Sequence, residues 1–297
     1  MLQFVQLVLN GSSIGCIYAL VALGFVLIYK ATEVVNFAQG ELMMFGAFFA
    51  YTLITLFGFS YWIGAAGAIL GMMAFGYLLD RVVLRPVLGQ PAFAMIMLTI
   101  GIGYVSRSVA GLVPGWGTAA YAIDTPFSAE GLPLLTTAET SLVISEQNLS
   151  IIGATVLFCA VLFAFFRYTR IGVAMQATSQ NQLAAYYMGI PVKSVFSLIW
   201  AISAGVAAAA GVLLAPITLI DTNMGFIGLK AFPAAVLGGF GSIPGAVVGG
   251  LTIGIIESLA GFYLPQGFKD IAAYIVLLAV LVLRPEGLFG QATRKKV

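Results

Sequence analysis

The chain has 297 residues, 61% of them hydrophobic and 8% charged, with a formal net charge of +2; a soluble domain carries about a quarter charged residues. That balance excludes an ordinary soluble domain, leaves no nucleic-acid partner to expect, and describes a protein whose solvent is lipid. Histidine is absent and the two cysteines, Cys16 and Cys159, lie apart inside apolar runs, so a zinc, haem or iron–sulfur centre has almost no ligands to draw on and no metal is expected.

Apolar stretches of the roughly 20 residues needed to cross a ~30 Å hydrocarbon core recur along nearly the whole chain. They lack period-two alternation, which argues for helices rather than barrel strands. Spans are predicted near 7–29, 34–56, 61–84, 92–113, 149–166, 194–215, 243–262 and 268–283. A ninth stretch, 224–240, is interrupted by Pro233 and glycines and reads as re-entrant or as a further crossing. The first span has no basic residue before it and no convincing cleavage site, so it is expected to stay in the mature chain. The fold class is therefore all-α: a polytopic transmembrane helical bundle of eight or nine spans with glycine-broken or re-entrant segments, forming a single membrane domain over 1–297.

Charge orients the bundle. The segment 114–148 carries Asp124, Glu130, Glu139 and Glu146 but no Lys or Arg, whereas Lys30, Arg81, Arg85, Arg167, Arg170, Lys193, Arg284, Arg294, Lys295 and Lys296 gather elsewhere. The positive-inside rule places those basic residues in the cytoplasm, with the long acidic loop and the N-terminus outside and the C-terminus inside. Opposite termini require an odd number of crossings, so 224–240 must cross as well or one span is drawn wrongly.

Three stretches stand out against this apolar background. In VVNFAQGELMMFGAF (34–48), the polar residues Asn36, Gln39 and Glu41 flank Gly40. A charge at the centre of a span costs on the order of 3 kcal/mol, so such residues usually face a cavity or a partner; a shallow Glu41 near Lys30, with Asn36 as a helix cap, is the bland alternative. In the inner loop, 172–188 has helical composition, with Val173, Ala177, Ala184 and Met188 near one face, and Gly189 and Pro191 supply a stop. That helix lacks the basic residues and bulky wedge of an interfacial anchor, which favours a docking surface over a helix resting on headgroups. In FPAAVLGGFGSIPGAVVGG (232–250), Gly238, Gly239, Gly241 and Ser242 precede Pro244. Tight packing of small residues accounts for Gly241, Gly245 and Gly249, but so many breakers predict unwound backbone lining a pathway. Arg107 is expected to snorkel from the outer end of its span, and Glu257 is a second, weaker intramembrane candidate.

What is missing narrows the class further. No Gly is followed by Lys anywhere, so there is no Walker loop, and the Asp, Glu and His relays of proton-driven carriers are absent. A membrane enzyme lacks its parts too, and no catalytic residue is nominated. Either a partner hydrolyses ATP, or the chain is a self-contained channel or facilitator for a small polar solute such as urea or an amide.

The run NGSSIGCIYALVALGFVLIYKATEVVNFAQGELMMFGAFFAY (10–51) resembles the start of the smaller permease subunit of branched-chain amino-acid ABC importers. RVVLRPVLGQPAFAMIMLTIGIG (81–103), TRIGVAMQATSQNQLAAYYMGI (169–190), LKAFPAAVLGGFGSIPGAVVGG (229–250) and RPEGLFG (284–290) resemble later motifs of that family, in order and across nearly the whole chain. The resemblance implies a channel-forming subunit of the bacterial cytoplasmic (inner) membrane, carrying branched-chain or other hydrophobic amino acids or related amides. It would pair with a second permease, as a heterodimer, be driven by two cytoplasmic ATPases that bind the ATP, and be fed by an external substrate-binding protein; no cofactor of its own is implied. Asn36, Gln39, Gly40, Glu41, Gly238, Gly239, Gly241 and Ser242 would line or gate the translocation pathway. Within 169–190 the resemblance implies a short cytoplasmic coupling helix, with Arg170, Gly172, Ala174, Thr178, Asn181, Ala184 and Gly189 as its matched positions. Two positions depart from the family pattern: Gln39 stands where His is usual and Gln176 where Arg is usual. A titrating role at the first is therefore in doubt, and the second implies an ATPase contact that differs in detail.

Overall fold

The structure, a computed structural model, describes residues 2–87, 89–137 and 140–290; the basic tail Arg294, Lys295 and Lys296 lies outside them. The helices in chain order are α1 (Leu2–Thr32), α2 (Gln39–Tyr51), α3 (Tyr61–Leu79), α4 (Ala92–Leu112), α5 (Glu146–Tyr168), α6 (Arg170–Gln180), α7 (Gln182–Tyr187), α8 (Val192–Thr218), α9 (Met224–Leu229), α10 (Ala231–Gly238), α11 (Ile243–Tyr263) and α12 (Phe268–Leu283). Six are long and apolar enough to cross a membrane: α1, α3 with its extension to Val87, α4, α5, α8 and α11. The protein is a multi-pass, predominantly α-helical membrane protein. The predicted second span differs, because α2 starts at Gln39 rather than at 34 and ends in a π turn, Thr52–Leu56. The 224–240 stretch divides into α9 and α10, each short.

The acidic loop is not all loop. Strands β1 (Gly131–Thr137) and β2 (Thr140–Ser145) pair antiparallel, with Gly131 opposite Ser145. The Gln6 side chain ties to this hairpin, accepting from the Val143 N–H at 2.9 Å and donating to its carbonyl at 2.6 Å.

Two compact units divide the chain, one comprising 1–26, 126–154 and 230–297, the other 27–125 and 155–229. In the first, α11 is approached on two sides at backbone distance. A Cβ at Gly11 would lie 2.8 Å from the Ile255 Cα, and one at Gly15 2.8 Å from the Leu251 Cα; along the α10 side, Gly245 and Gly249 abut the carbonyls of Gly238 and Ala234. Small residues make such contact possible, and van der Waals packing is what holds helices together in lipid. In the second unit the alanine run of α8, Ala207 to Ala210, is at most 1% exposed. It lets Gly46 of α2 sit against Ala208, while Gly76 of α3 meets Trp200 and Ala204. Above this contact Trp116 stacks on Phe48 at 4.9 Å and donates its Nε1–H to Thr52 Oγ1 at 2.7 Å.

Candidate functional site

The polar stretch near 36–41 is a break between two helices. α1 ends at Thr32, Glu33 adopts a left-handed φ of 57°, and the chain is irregular until Gln39. The N–H of Phe37 donates to Thr99 Oγ1 at 3.2 Å, and Thr99 is the eighth residue of the 21-residue α4, so the unwound backbone lies level with the middle of that span. Every backbone polar group at such a depth needs a partner. Asn36 Oδ1 accepts from the Ala38 N–H at 3.0 Å, an Asx turn, while its Nδ2 donates to Gln39 Oε1 at 3.1 Å. Ser203 Oγ also donates to Gln39 Oε1 at 3.1 Å, and Gln39 Nε2 donates to the Ser203 carbonyl at 3.4 Å. Both amides are wholly buried. Gly40 is pressed against the carbonyl of Gly225, which brings α9 onto α2.

Glu41 lies in the first turn of α2, where a negative charge suits the helix dipole, and it is 6% exposed. Its partner is not Lys30 but Arg107, whose Nη2 donates to Glu41 Oε1 at 2.7 Å. Arg107 therefore does not snorkel as expected: its guanidinium lies 3.9 Å from the Phe226 ring centroid, and its Nε is buried with no hydrogen-bond partner among the described residues. The pair lines a cavity of about 130 Å³ together with the apolar Phe37, Ile100, Phe226 and Leu229 and with Gly103 and Tyr104. Glu41 reaches this cavity, whereas Asn36, Gln39 and Gly40 do not line it. Sequence reading missed Thr99 and Ser203 and, for Arg107, the pairing with Glu41; the one available signal was that Arg107 is the sole charged residue of α4.

The glycine-rich break has a different character. Gly239 caps α10 with φ of 94°, Ser242 caps α11 by accepting from the Gly245 N–H at 3.0 Å, and Gly241 faces open space. The segment 284–290 folds onto this turn: the Leu288 N–H donates to the Leu237 carbonyl at 2.8 Å and the Phe289 N–H to the Gly238 carbonyl at 3.2 Å. Those bonds satisfy helix-end carbonyls that would otherwise be orphaned. A Cβ at Gly239 would stand 2.9 Å from the Glu286 carbonyl and the Gly290 nitrogen, and one at Gly287, itself at φ 78°, 2.6 Å from Gly239. Gly238 and Gly239 are thus filled in by backbone.

The 169–190 loop folds into two helices where one was expected. Thr169 caps α6 by accepting from the Gly172 N–H at 2.9 Å, and Asn181, extended at φ −157°, caps α7 by accepting from the Ala184 N–H at 2.9 Å. Asn competes with the helix for backbone groups, so the run breaks there. The buried stripe is Gly172, Met175, Thr178 and, in α7, Ala185 rather than the expected face: Val173 is 53% and Met188 82% exposed, and Ala184 is exposed as well. Gly172 packs against the Phe165 carbonyl with no space for a side chain. Gly189, at φ 82°, ends α7 as anticipated. Leu183, Tyr186, Tyr187 and Met188 make an exposed apolar patch on α7, and Arg170, Ala174 and Asn181 are only partly covered or exposed.

Glu257 is also paired. It is 2% exposed, accepts from Tyr18 Oη at 2.6 Å, and meets Lys230 Nζ at 3.1 Å, which in turn reaches Asp270 at 2.7 Å. Lys230 went unremarked in the sequence, although it is the one charge in the apolar run 224–240. Among the described residues no group of His, Cys, Asp and Glu is placed to hold a metal.

Residues 7–283 match the model of the branched-chain amino acid transport system / permease component family. The chain belongs to that family. It is 34% identical over 307 residues to the high-affinity branched-chain amino acid transport system permease protein LivH of Escherichia coli (strain K12), covering 100% of this chain and 98% of the relative. BraD of Pseudomonas aeruginosa, a permease protein of the same description, is 33% identical over 99% of this chain and 98% of its own length. A solved structure, PsaBC from Streptococcus pneumoniae in complex with Fab, matches 94% of this chain and 92% of that one with a TM-score of 0.50 and 14% identity, a likeness of fold alone. Gln39 and Gln176 both bond backbone. Gln39 bonds Ser203 as described, and Gln176 Nε2 donates to the Phe166 carbonyl at 3.0 Å, closing the end of α5.

Proposed function

We propose that this chain is the membrane-spanning permease subunit of an ATP-driven importer, carrying branched-chain or other hydrophobic amino acids across a bacterial cytoplasmic membrane. The observation that carries this reading is identity of about one third over the full length of proteins named for that transport. The chain acts as one permease domain of eight or nine crossings, with α2, α12 and the α9–α10 pair completing the six long helices. The basic loops and C-terminus face the cytoplasm, and the hairpin side and N-terminus face outward. It has no ATP site of its own and no cofactor. Its partners are two cytoplasmic ATPases, a second permease subunit and an external binding protein.

In this reading α6 and α7 form the coupling element. The exposed patch of Leu183, Tyr186, Tyr187 and Met188 enters a groove of the ATPase, with Arg170, Ala174, Asn181 and Ala184 on the accessible side. Gly172, Thr178 and Gly189 hold the element's shape. Motion of this element, tied to the end of α1 by the Gln182 Nε2 bond to the Ala31 carbonyl at 2.9 Å, switches access. The break of Asn36, Gln39 and Gly40 positions Glu41 on the solute path, and the turn of Gly238, Gly239, Gly241 and Ser242 gates at an end of the bundle.

The clean test is Ala184→Glu, because Ala184 is exposed whereas a bulky residue at Gly172 would disrupt packing. The variant is expected to insert and purify with normal yield yet to lose its ATPases on co-purification, or to keep them with ATP hydrolysis uncoupled from uptake. Normal assembly with normal coupling would contradict the docking role.

A further inference from the structure

We propose that the cavity bounded by Glu41 and Arg107 is a binding site for a zwitterionic α-amino acid with an apolar side chain, Glu41 taking the ammonium and Arg107 the carboxylate. The proposal rests on the importer reading and deepens it.

The chemistry follows from the pair being closed yet accessible. Glu41 and Arg107 neutralise each other at 2.7 Å in the lining of a cavity of about 130 Å³. An entering zwitterion can exchange with the pair so that each of the four charges again meets an opposite one. A lone cation or anion would leave one member of the pair uncompensated in a mostly buried site, which is strongly unfavourable. A neutral amide or urea offers no charge to either partner and gains less than a charge-assisted bond would.

Arg107 is prepared for a second acceptor. One N–H of Nη2 is used by Glu41 and the side chain is 21% exposed, so the guanidinium keeps further N–H donors for a carboxylate, whereas Nε is buried and out of a solute's reach. Phe226 at 3.9 Å holds the guanidinium plane from one face. Two glycines keep the charges uncovered: a Cβ at Gly225 would stand 2.9 Å from Glu41 Oε1 and 3.4 Å from Arg107 Nη2, and one at Gly103 3.4 Å from Glu41 Oε2. Phe37, Ile100 and Leu229 supply the apolar wall that an aliphatic side chain requires.

The test uses the complete importer, with both permeases, the ATPases and the binding protein, in proteoliposomes with L-leucine and L-alanine as probes. Glu41→Gln with Arg107→Gln replaces the ion pair by two amides able to bond each other; leucine uptake is expected to fall about tenfold or more, the worth of at least one charge-assisted hydrogen bond. Ile100→Phe narrows the apolar wall without altering either charge, and is expected to reduce leucine uptake about tenfold relative to alanine, as for a pocket that loses the room of a methylene or more. That change of preference is not produced by a merely structural ion pair, so Ile100→Phe decides alone if the double variant does not assemble. Leucine uptake within about twofold of wild type, well under the 1.4 kcal/mol of a tenfold change, in both variants would overturn the site while leaving the importer standing. A wild-type complex that imports no amino acid would refute the importer reading and the site with it.

Discussion

The two helix breaks in this permease look alike in sequence and differ in structure. Around 36–41 the chain unwinds level with the middle of α4 and fills the gap with side chains: two buried amides, a serine, a threonine and an ion pair beside a cavity. Around 238–242 the chain turns and fills the gap with backbone, because 284–290 returns to bond the carbonyls of Leu237 and Gly238. A break made of polar side chains keeps groups that can exchange partners with a solute. A break made of glycine and closed by backbone has little left to offer one.

Substitutions can break or sharpen this contrast. Gly245→Val drives a branched side chain into the Gly238 carbonyl, and overpacking of this kind costs about 3 kcal/mol or more when backbone cannot yield; the expected outcome is loss of folded permease from detergent extracts. Glu41→Ala leaves Arg107 unpaired in a mostly buried site, with an expected destabilisation of about 3 kcal/mol. Adding Arg107→Ala should recover part of that, and a thermal-stability cycle over the four proteins measures the coupling. Gln39→Ala removes partners from Asn36 and Ser203 and is expected to cost about 1–2 kcal/mol, with uptake lowered through misplacement of Glu41. Gly241→Ala meets open space and should change stability by less than about 0.5 kcal/mol. If Gly241→Ala abolished uptake while Gln39→Ala did not, the contrast between the two breaks would be reversed.

Much of the fold was legible because unbroken apolar runs of bilayer length admit few structures. The long helices fall where the runs do, and Gly189 ended its helix where the glycine stop was expected. Other features were hidden for identifiable reasons. The helix run at 172–188 broke at Asn181 because a side-chain cap outcompeted continuation, a choice that periodicity does not register. The hairpin at 131–145 lay in a stretch read only for its charge. The pairing of Glu41 with Arg107 joins residues 66 apart in sequence, and nothing local to either names the other. Glycine spacing in 241–249 allows close packing, which Gly245 and Gly249 make and Gly241, with open space beside it, does not.

The most direct measurement is solute uptake into proteoliposomes containing the purified permease, alone and with its ATPases, the second permease and the binding protein. An importer subunit of this family should give no uptake alone and ATP-dependent accumulation of hydrophobic amino acid in the complete assembly. Passage of the same solute through this chain alone, without ATP, would contradict it.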